Sequence, residues 1–198
     1  MTAASSRPRR FGALVEIVVT VALAIVLYLV IQTFVAQTYR VEMESMEPTL
    51  LPGQYLLIDK LTPRIDDYSR GDIVVFHPPD GGPDAIPLIK RVIGVGGDHL
   101  AIRGGAVYVN GVRLDEPYLN SDGLTEPLTK QSSWDVPKGS LFVMGDHRSV
   151  SQDSRLFGFV QVDQVIGRAW LRLWPLDGLG VLQTPTYPNV PAAPSPSP

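Results

Sequence analysis

The stretch IPLIKRVIGV, residues 86–95, decides the fold class. It is a short run rich in Ile and Val that ends at Gly-Gly-Asp, which is typical of a buried β-strand. Comparable runs occur along the rest of the chain after residue 40, and none carries a long period of 3.6 residues. The sequence therefore predicts a mostly β, antiparallel domain with strands near residues 55–58, 73–76, 86–95, 99–103, 106–110, 141–144 and 165–173.

Composition sets the limits of this domain. Residues 37–183 have the mixed composition of one domain with a core, whereas residues 184–198 are rich in Pro, Ala and Ser and predict a disordered tail. Inside the domain, Asn110-Gly111 separates two apolar runs. Because Asn and Gly both tolerate positive φ, this pair predicts a hairpin with a type I′ turn.

An uncharged apolar stretch precedes the domain. Residues 17–36, at about 1.5 Å each, are long enough to cross the roughly 30 Å hydrocarbon core of a bilayer, which predicts one transmembrane helix. A cleavable secretory signal is the alternative, but the stretch is longer than the usual apolar region and no small-x-small site follows it. Arg7, Arg9 and Arg10 make residues 1–16 the cytoplasmic side and place the β-domain outside.

Charge and residue usage exclude several functions. The net charge of −3 over 198 residues gives no indication of nucleic-acid binding. The absence of Cys excludes disulfides and thiolate metal sites. Three His without paired spacing, and no HExxH motif, argue against a zinc site.

Ser45 and Lys90 are the candidate catalytic residues. Ser45 opens the segment SMEPTL, and Lys90 lies within the apolar run described above. A lysine acts as a general base only when neutral, and at its ordinary pKa of about 10.4 roughly one in 2,500 is neutral at pH 7. Burial lowers that pKa, whereas the neighbouring Arg91 cannot lose its proton. The pair therefore predicts a Ser-Lys hydrolytic dyad.

Four blocks of sequence resemble, in their order, the type I signal peptidase family of membrane-bound enzymes that cut signal peptides from exported proteins. They are SMEPTL (45–50), RGDIVVF (70–76), KRVIGVGGD (90–98) and GDHRSVSQDSR (145–155). The resemblance implies an antiparallel β-domain with a small inserted β-subdomain, here at about residues 97–137. It also implies a bacterial cytoplasmic-membrane location, membrane lipid and signal peptides of preproteins as partners, and no metal or organic cofactor.

The resemblance also assigns supporting roles. Ser151 would hydrogen-bond the amine of Lys90 and fix its direction, Asp153 and Arg155 would form a paired support beneath the dyad, and Asp146 would brace the loop. His147 stands where relatives usually carry Asn.

A substrate with small residues at the first and third positions before the cut would bind as an added β-strand. The strand would pair with residues 41–44 and 86–89. Many relatives have Ser or Gly two positions before the nucleophile, where this chain has Met43, so the Ser45 backbone N–H remains as the oxyanion donor. The candidates for lining the apolar substrate pockets are Val41, Met46, Leu50, Leu88 and Ile89.

Three alternatives remain at the level of sequence. A self-cleaving Ser-Lys repressor would need a DNA-binding segment where this chain has an apolar span. A Ser-His-Asp triad would need His147 to reach Ser45 and would leave Lys90 without a role. A membrane-tethered β-domain that binds peptides without cutting them is favoured only by Met43.

Overall fold

The structure is a computed structural model that describes residues 9–61, 67–82, 85–119 and 123–191. It begins with the helix α1 and a π-helical turn, continues through twelve strands, and includes one short helix after the ninth strand. The elements are α1 (Arg9–Val30), β1 (Ala36–Arg40), β2 (Tyr55–Asp59), β3 (Ile73–Phe76), β4 (Leu88–Val95), β5 (His99–Arg103), β6 (Ala106–Val109), β7 (Val112–Arg113), β8 (Ser133–Asp135), β9 (Ser140–Met144), α2 (Ser154–Phe157), β10 (Val160–Gln161), β11 (Val165–Trp174) and β12 (Gly180–Val181).

The larger sheet is antiparallel throughout and has the order β1-β2-β11-β3-β4-β9-β10, with β12 added to β11. The run quoted first in the sequence forms β4, which pairs with β3 on one side and β9 on the other. Both faces of β4 are covered, which explains why its sequence is continuously apolar apart from Lys90 and Arg91. The prediction of a mostly antiparallel β fold is confirmed.

The smaller sheet has the order β7-β6-β5-β8 and is formed by residues between β4 and β9 in the chain. The hairpin between β6 and β7, at one edge of this sheet, turns at Asn110 and Gly111, whose φ angles are +51° and +82°. Positive φ at both positions is what a type I′ turn requires, so the hairpin prediction is confirmed.

One hydrophobic cluster joins the two sheets. Trp134 of β8 packs against Phe142 of β9 with ring centroids 5.0 Å apart, and Phe142 is fully buried. Two further clusters lie within the larger sheet, one around β2 and β3 and one around β4 and β9. The buried members of the joining cluster are Ile93, Leu100, Ile102, Val107, Val109, Leu114, Trp134, Val136, Phe142, Met144 and Val190.

The N-terminal helix leads directly into the larger sheet. Residues Gly12–Val35 form a helical segment that is long and apolar enough to cross a membrane, and none of these residues is buried against the rest of the protein. The predicted span of residues 17–36 lies within this segment except for Ala36, which is the first residue of β1. Lys60 Nζ donates to the carbonyl oxygen of Gln32 at 3.2 Å, which ties the end of the segment to β2.

The prediction of a disordered tail from residue 184 onward does not hold for residues 184–191. Val190 is only 8% exposed and belongs to the cluster that joins the sheets, and Tyr187 packs against the same cluster. A composition rich in Pro disfavours regular hydrogen-bonded elements but does not prevent an extended segment from packing its few apolar side chains. Residues 192–198 lie outside the described residues.

Phe142→Ala is expected to lower the free energy of unfolding by about 3–5 kcal/mol, because it leaves a cavity between the sheets. The matched control is Leu179→Ala, at a position 57% exposed, which is expected to change stability by less than about 0.5 kcal/mol. Guanidinium unfolding of the full chain in detergent, followed by tryptophan fluorescence, measures both. Equal stabilities for the two variants would contradict the placement of Phe142 in a shared core.

Candidate active site

Ser45 and Lys90 lie against each other although 45 residues separate them in the chain. Ser45 is in a 3-10 turn, Glu44–Met46, that follows an extended segment, and Lys90 projects from β4. A hydrogen bond of 2.7 Å joins Lys90 Nζ to Ser45 Oγ. The two side chains are 1% and 6% exposed, so the pair lies in a water-poor environment.

Burial makes Lys90 a weaker base than an ordinary lysine. Loss of hydration lowers the pKa of its amine to about 8, while the carboxylates of Asp153 and Asp146 act in the opposite direction. At that pKa roughly a tenth of the molecules carry a neutral amine at pH 7, against one in about 2,500 for an unperturbed lysine. Besides Ser45, the amine donates to the Ile89 carbonyl oxygen at 3.1 Å.

The next residue on β4, Arg91, is held in a different way. Successive side chains of a strand point to opposite faces, so Arg91 is buried on the side of the sheet away from Lys90. Its Nε and Nη2 donate to the two carboxylate oxygens of Asp146 at 2.8 and 2.7 Å. Thr49 Oγ1 donates to the same carboxylate at 2.5 Å, which connects Asp146 to the segment that carries Ser45.

Asp153 and Arg155 form a second buried pair, with both nitrogen–oxygen distances 2.9 Å. Asp153 also accepts hydrogen bonds from the backbone N–H of Gly145 and of Arg155, the latter at the start of α2. Arg155 Nη2 donates to the carbonyl oxygen of Arg148 at 2.8 Å. The pair therefore closes the loop of residues 145–155 on itself.

Gly145 allows that loop to lie against Ser45. A Cβ atom at this position would collide with Ser151 Oγ and with the carbonyl oxygen of Ser45, so a side chain has no room. The backbone N–H of His147 donates to the Ser45 carbonyl oxygen at 3.0 Å. The loop therefore holds the backbone of Ser45 from one side.

Ser151 lies in this region, but its predicted hydrogen bond to the lysine is not formed. Ser151 Oγ is buried and has no hydrogen-bond partner among the described residues. His147 Nδ1 is likewise buried and without a partner in that part of the chain. Ser45 Oγ meets the amine of Lys90 instead, which disfavours a triad built on His147.

An open groove of about 850 Å³ leads to Ser45 and Lys90. Leu88 borders the groove, and so does Met43, which offers no side-chain donor. The other four predicted pocket residues are at most 2% exposed and pack between the strands of the larger sheet instead of bordering the groove; they are Val41, Met46, Leu50 and Ile89. The groove residues are Glu42, Met43, Glu44, Ser45, Pro52, Pro78, Pro79, Asp80, Leu88, Lys90, Val150, Gln152, Leu156 and Phe157.

Sequence reasoning missed a connection between the loop and the smaller sheet. Arg148 is paired with Glu116 and hydrogen-bonded to Thr125, and its Nε donates to the Gly145 carbonyl oxygen at 3.0 Å. Its position inside the quoted 145–155 block was a signal, but the partners are 32 and 23 residues away and nothing in the sequence pairs them. Within the described residues, no group of three or more His, Cys, Asp or Glu side chains is placed to hold a metal ion.

Comparison with known proteins identifies relatives along most of the chain. The family model described as "Signal peptidase, peptidase S26" matches residues 14–174. Signal peptidase I of Leptolyngbya laminosa is 38% identical over 187 residues, which cover 92% of this chain and 90% of that protein. Signal peptidase IB of Staphylococcus aureus is 35% identical over 176 residues, or 82% of this chain and 90% of that protein.

A crystal structure of a signal peptidase I from Enterococcus faecalis is 33% identical and covers 52% of this chain and 97% of its own, with a TM-score of 0.42. The resemblance inferred from the four sequence blocks is confirmed by the family match and by the two relatives. The chain therefore belongs to the signal peptidase family, peptidase S26, and is a peptidase.

Proposed function

We propose that this peptidase removes signal peptides from exported proteins by means of a Ser45-Lys90 dyad and an acyl-enzyme. The observation that carries the proposal is the 2.7 Å hydrogen bond between Lys90 Nζ and Ser45 Oγ, in a buried position that borders an open groove. A hydroxyl next to a lysine whose pKa is lowered to about 8 is an activated nucleophile at neutral pH.

In the first half-reaction, neutral Lys90 takes the proton of Ser45 Oγ as the oxygen attacks the scissile carbonyl carbon. The resulting ammonium gives that proton to the leaving amine when the C–N bond breaks. The products are a free amino terminus on the exported protein and an ester between Ser45 and the signal peptide. Lys90 is neutral again at this point.

In the second half-reaction, Lys90 takes a proton from a water molecule that attacks the ester. The proton then passes to Ser45 Oγ as the C–O bond breaks, and the signal peptide leaves with a free carboxylate. We assign Ser151 Oγ, which has no partner among the described residues, as the acceptor that holds the ammonium during these steps. Asp146, Asp153 and Arg155 are assigned as positioning residues because they hold the loop against Ser45.

The oxyanion needs a donor that the side chain at position 43 does not supply. We assign the backbone N–H of Ser45 to this role, since it belongs to the nucleophile itself and lies at the start of a 3-10 turn. Each missing donor typically costs about 100- to 1,000-fold in rate, so a single donor predicts modest turnover.

We place the substrate as an extended strand in the groove, beside residues 41–44 and 86–89, with small residues at the first and third positions before the cut. The π-helical turn that follows α1 leads into β1 without an intervening linker, and the groove begins two residues beyond the end of β1, at Glu42. With Arg9 and Arg10 at the cytoplasmic end of α1, the catalytic domain lies outside the cytoplasmic membrane, at the lipid surface where a signal peptide emerges.

A membrane-tethered domain that binds peptides without cutting them is the second candidate. Met43 and the unpartnered Ser151 Oγ favour it, because both leave the catalytic hydrogen-bond network incomplete. Turnover of an Ala-x-Ala signal-peptide substrate separates the two functions.

Ser45→Ala and Lys90→Met are each expected to reduce kcat by at least about 1,000-fold. The first removes the proposed nucleophile and the second removes the proposed general base, and neither group works without the other. Cleavage of an Ala-x-Ala peptide by the full chain in detergent measures this effect. Ser149→Ala and Lys138→Met, at exposed positions, are matched controls that keep wild-type activity. Full activity in either dyad variant contradicts the assignment, and an inactive wild type favours the binding domain.

The pH dependence of kcat/KM is expected to rise tenfold per pH unit below a midpoint near 8 and to level off above it. The sign follows from the base: the neutral amine is active, and the lowered pKa of Lys90, about 8, marks where it forms. Initial rates at low substrate concentration between pH 6 and 10 give the profile. A midpoint near 6.5 would identify a histidine as the base instead.

A further inference from the structure

The residues 184–191, here called the C-terminal strap, lie beyond the part of the chain that the family model matches, which ends at residue 174. The strap is attached to both sheets. Val190 is buried in the cluster between them, and the carbonyl oxygen of Pro191 accepts hydrogen bonds from Arg70 Nη2 at 3.0 Å and Asn110 Nδ2 at 3.4 Å. The strap is therefore held at its far end by the body of the protein.

Closer to its start, the strap reaches Arg91 by two routes. Pro185 packs on Gly71, where a Cβ atom would come within 2.7 Å of the Pro185 carbonyl oxygen. The carbonyl oxygen of Gly71 in turn accepts a hydrogen bond from Arg91 Nη1 at 2.9 Å. In the second route, Tyr187 Oη donates to Tyr118 Oη at 3.2 Å.

The second route continues from the Tyr118 hydroxyl to Arg91, because the ring of Tyr118 packs against the Arg91 guanidinium. The guanidinium carbon of Arg91 lies 4.0 Å from the centroid of that ring, which is cation–π distance. Burial raises the pKa of Tyr187 to about 12 and that of Tyr118 well above its ordinary value, so both hydroxyls stay protonated at neutral pH. The contact between the hydroxyls therefore persists over the working range of the enzyme.

Arg91 connects these strap contacts to the loop that packs against Ser45. Its guanidinium is paired with Asp146, which accepts from Thr49 four residues beyond the nucleophile. Asp146 is also flanked by Gly145 and His147, the two residues that contact the backbone of Ser45. Any displacement of the guanidinium therefore acts on both sides of the nucleophile turn.

We propose that Tyr187 is a positioning residue, which holds the Arg91–Asp146 pair and thereby the alignment of Ser45 with Lys90. The inference rests on the proposed function, because alignment of the dyad is what it affects. No strap residue borders the groove at the dyad, so Tyr187 acts through Tyr118 and Arg91 and not on the substrate. A separate cavity of about 540 Å³ beside the strap is bordered by Arg91, Tyr118 and Pro185.

The test compares Tyr187→Ala and Tyr187→Phe with wild type, as full chains in detergent, on an Ala-x-Ala peptide. Tyr187→Ala is expected to lower kcat roughly five- to tenfold with KM changed less than about twofold, because substrate contacts stay intact while the reacting groups lose alignment. Tyr187→Phe keeps the ring and loses only the hydroxyl contact. Its kcat is therefore expected to lie between that of wild type and that of Tyr187→Ala. The matched control is Tyr108→Ala, whose ring packs over Arg103 at 3.9 Å in the smaller sheet, and which is expected to keep wild-type kcat.

A double-mutant cycle with Arg91→Lys separates positioning from a general loss of stability. If Tyr187 acts through Arg91, its substitution has little further effect on kcat once the bidentate pair is lost. The same loss of kcat in both backgrounds overturns the proposal, as does a wild-type kcat in Tyr187→Ala. All rates are taken at a temperature where circular dichroism shows each variant fully folded.

Amide hydrogen exchange gives a readout that does not depend on turnover. The N–H groups of Leu50 and His147, which bond to Met46 and Ser45, are expected to exchange faster in Tyr187→Ala and unchanged in Tyr108→Ala. Unchanged exchange at both amides in Tyr187→Ala contradicts the proposal. If wild type cuts no peptide, the proposed function fails, and the exchange result alone decides the role of the strap.

Discussion

Two consecutive cationic side chains, Lys90 and Arg91, are buried on opposite faces of the central strand β4. Burying a charge is costly unless it is paired, and the fold treats the two residues differently. Arg91 donates two hydrogen bonds to the carboxylate of Asp146 and one to the carbonyl oxygen of Gly71. Lys90 donates hydrogen bonds only to neutral partners, Ser45 Oγ and a backbone carbonyl oxygen. The loss of hydration on burial therefore outweighs the nearby carboxylates of Asp153 and Asp146 and lowers the pKa of Lys90 to about 8.

The pairing of Arg91 with Asp146 also determines where the neighbouring loop lies. The carboxylate that pairs with Arg91 comes from the loop of residues 145–155, so this pairing also holds the loop against the turn that carries Ser45. Asp153 and Arg155 fix the loop internally, and Arg148 ties it to the smaller sheet through Glu116. The loop, tied to the rest of the domain in this way, holds Ser45 in place, although the loop is about 100 residues away from Ser45 in the sequence.

Among the described residues, the sequence predicted seven of the twelve strands, namely β2, β3, β4, β5, β6, β9 and β11. It also singled out Ser45 and Lys90, which the fold brings into contact. Both kinds of feature leave local signals. A buried strand has a continuous apolar sequence, and a lysine inside such a sequence is unusual enough to indicate a functional role. Sequence reasoning failed for the tail, where a composition rich in Pro hides the buried Val190, and for four pocket residues that turned out to be core. The Arg91–Asp146 pair was also missed, because its members are 55 residues apart and each resembles an ordinary surface charge.

The sequence by itself determined the antiparallel β-class, the apolar N-terminal helix and the membership of the peptidase family, since these depend on residue type and order along the chain. Only the tertiary structure decided which face of β4 each of the two residues occupies, which hydrogen-bond partners each one has, and where the C-terminal strap packs. The physical reason is that pKa and pairing depend on burial and on distances of a few ångströms between residues far apart in the chain. Such distances exist only once the sheets have assembled.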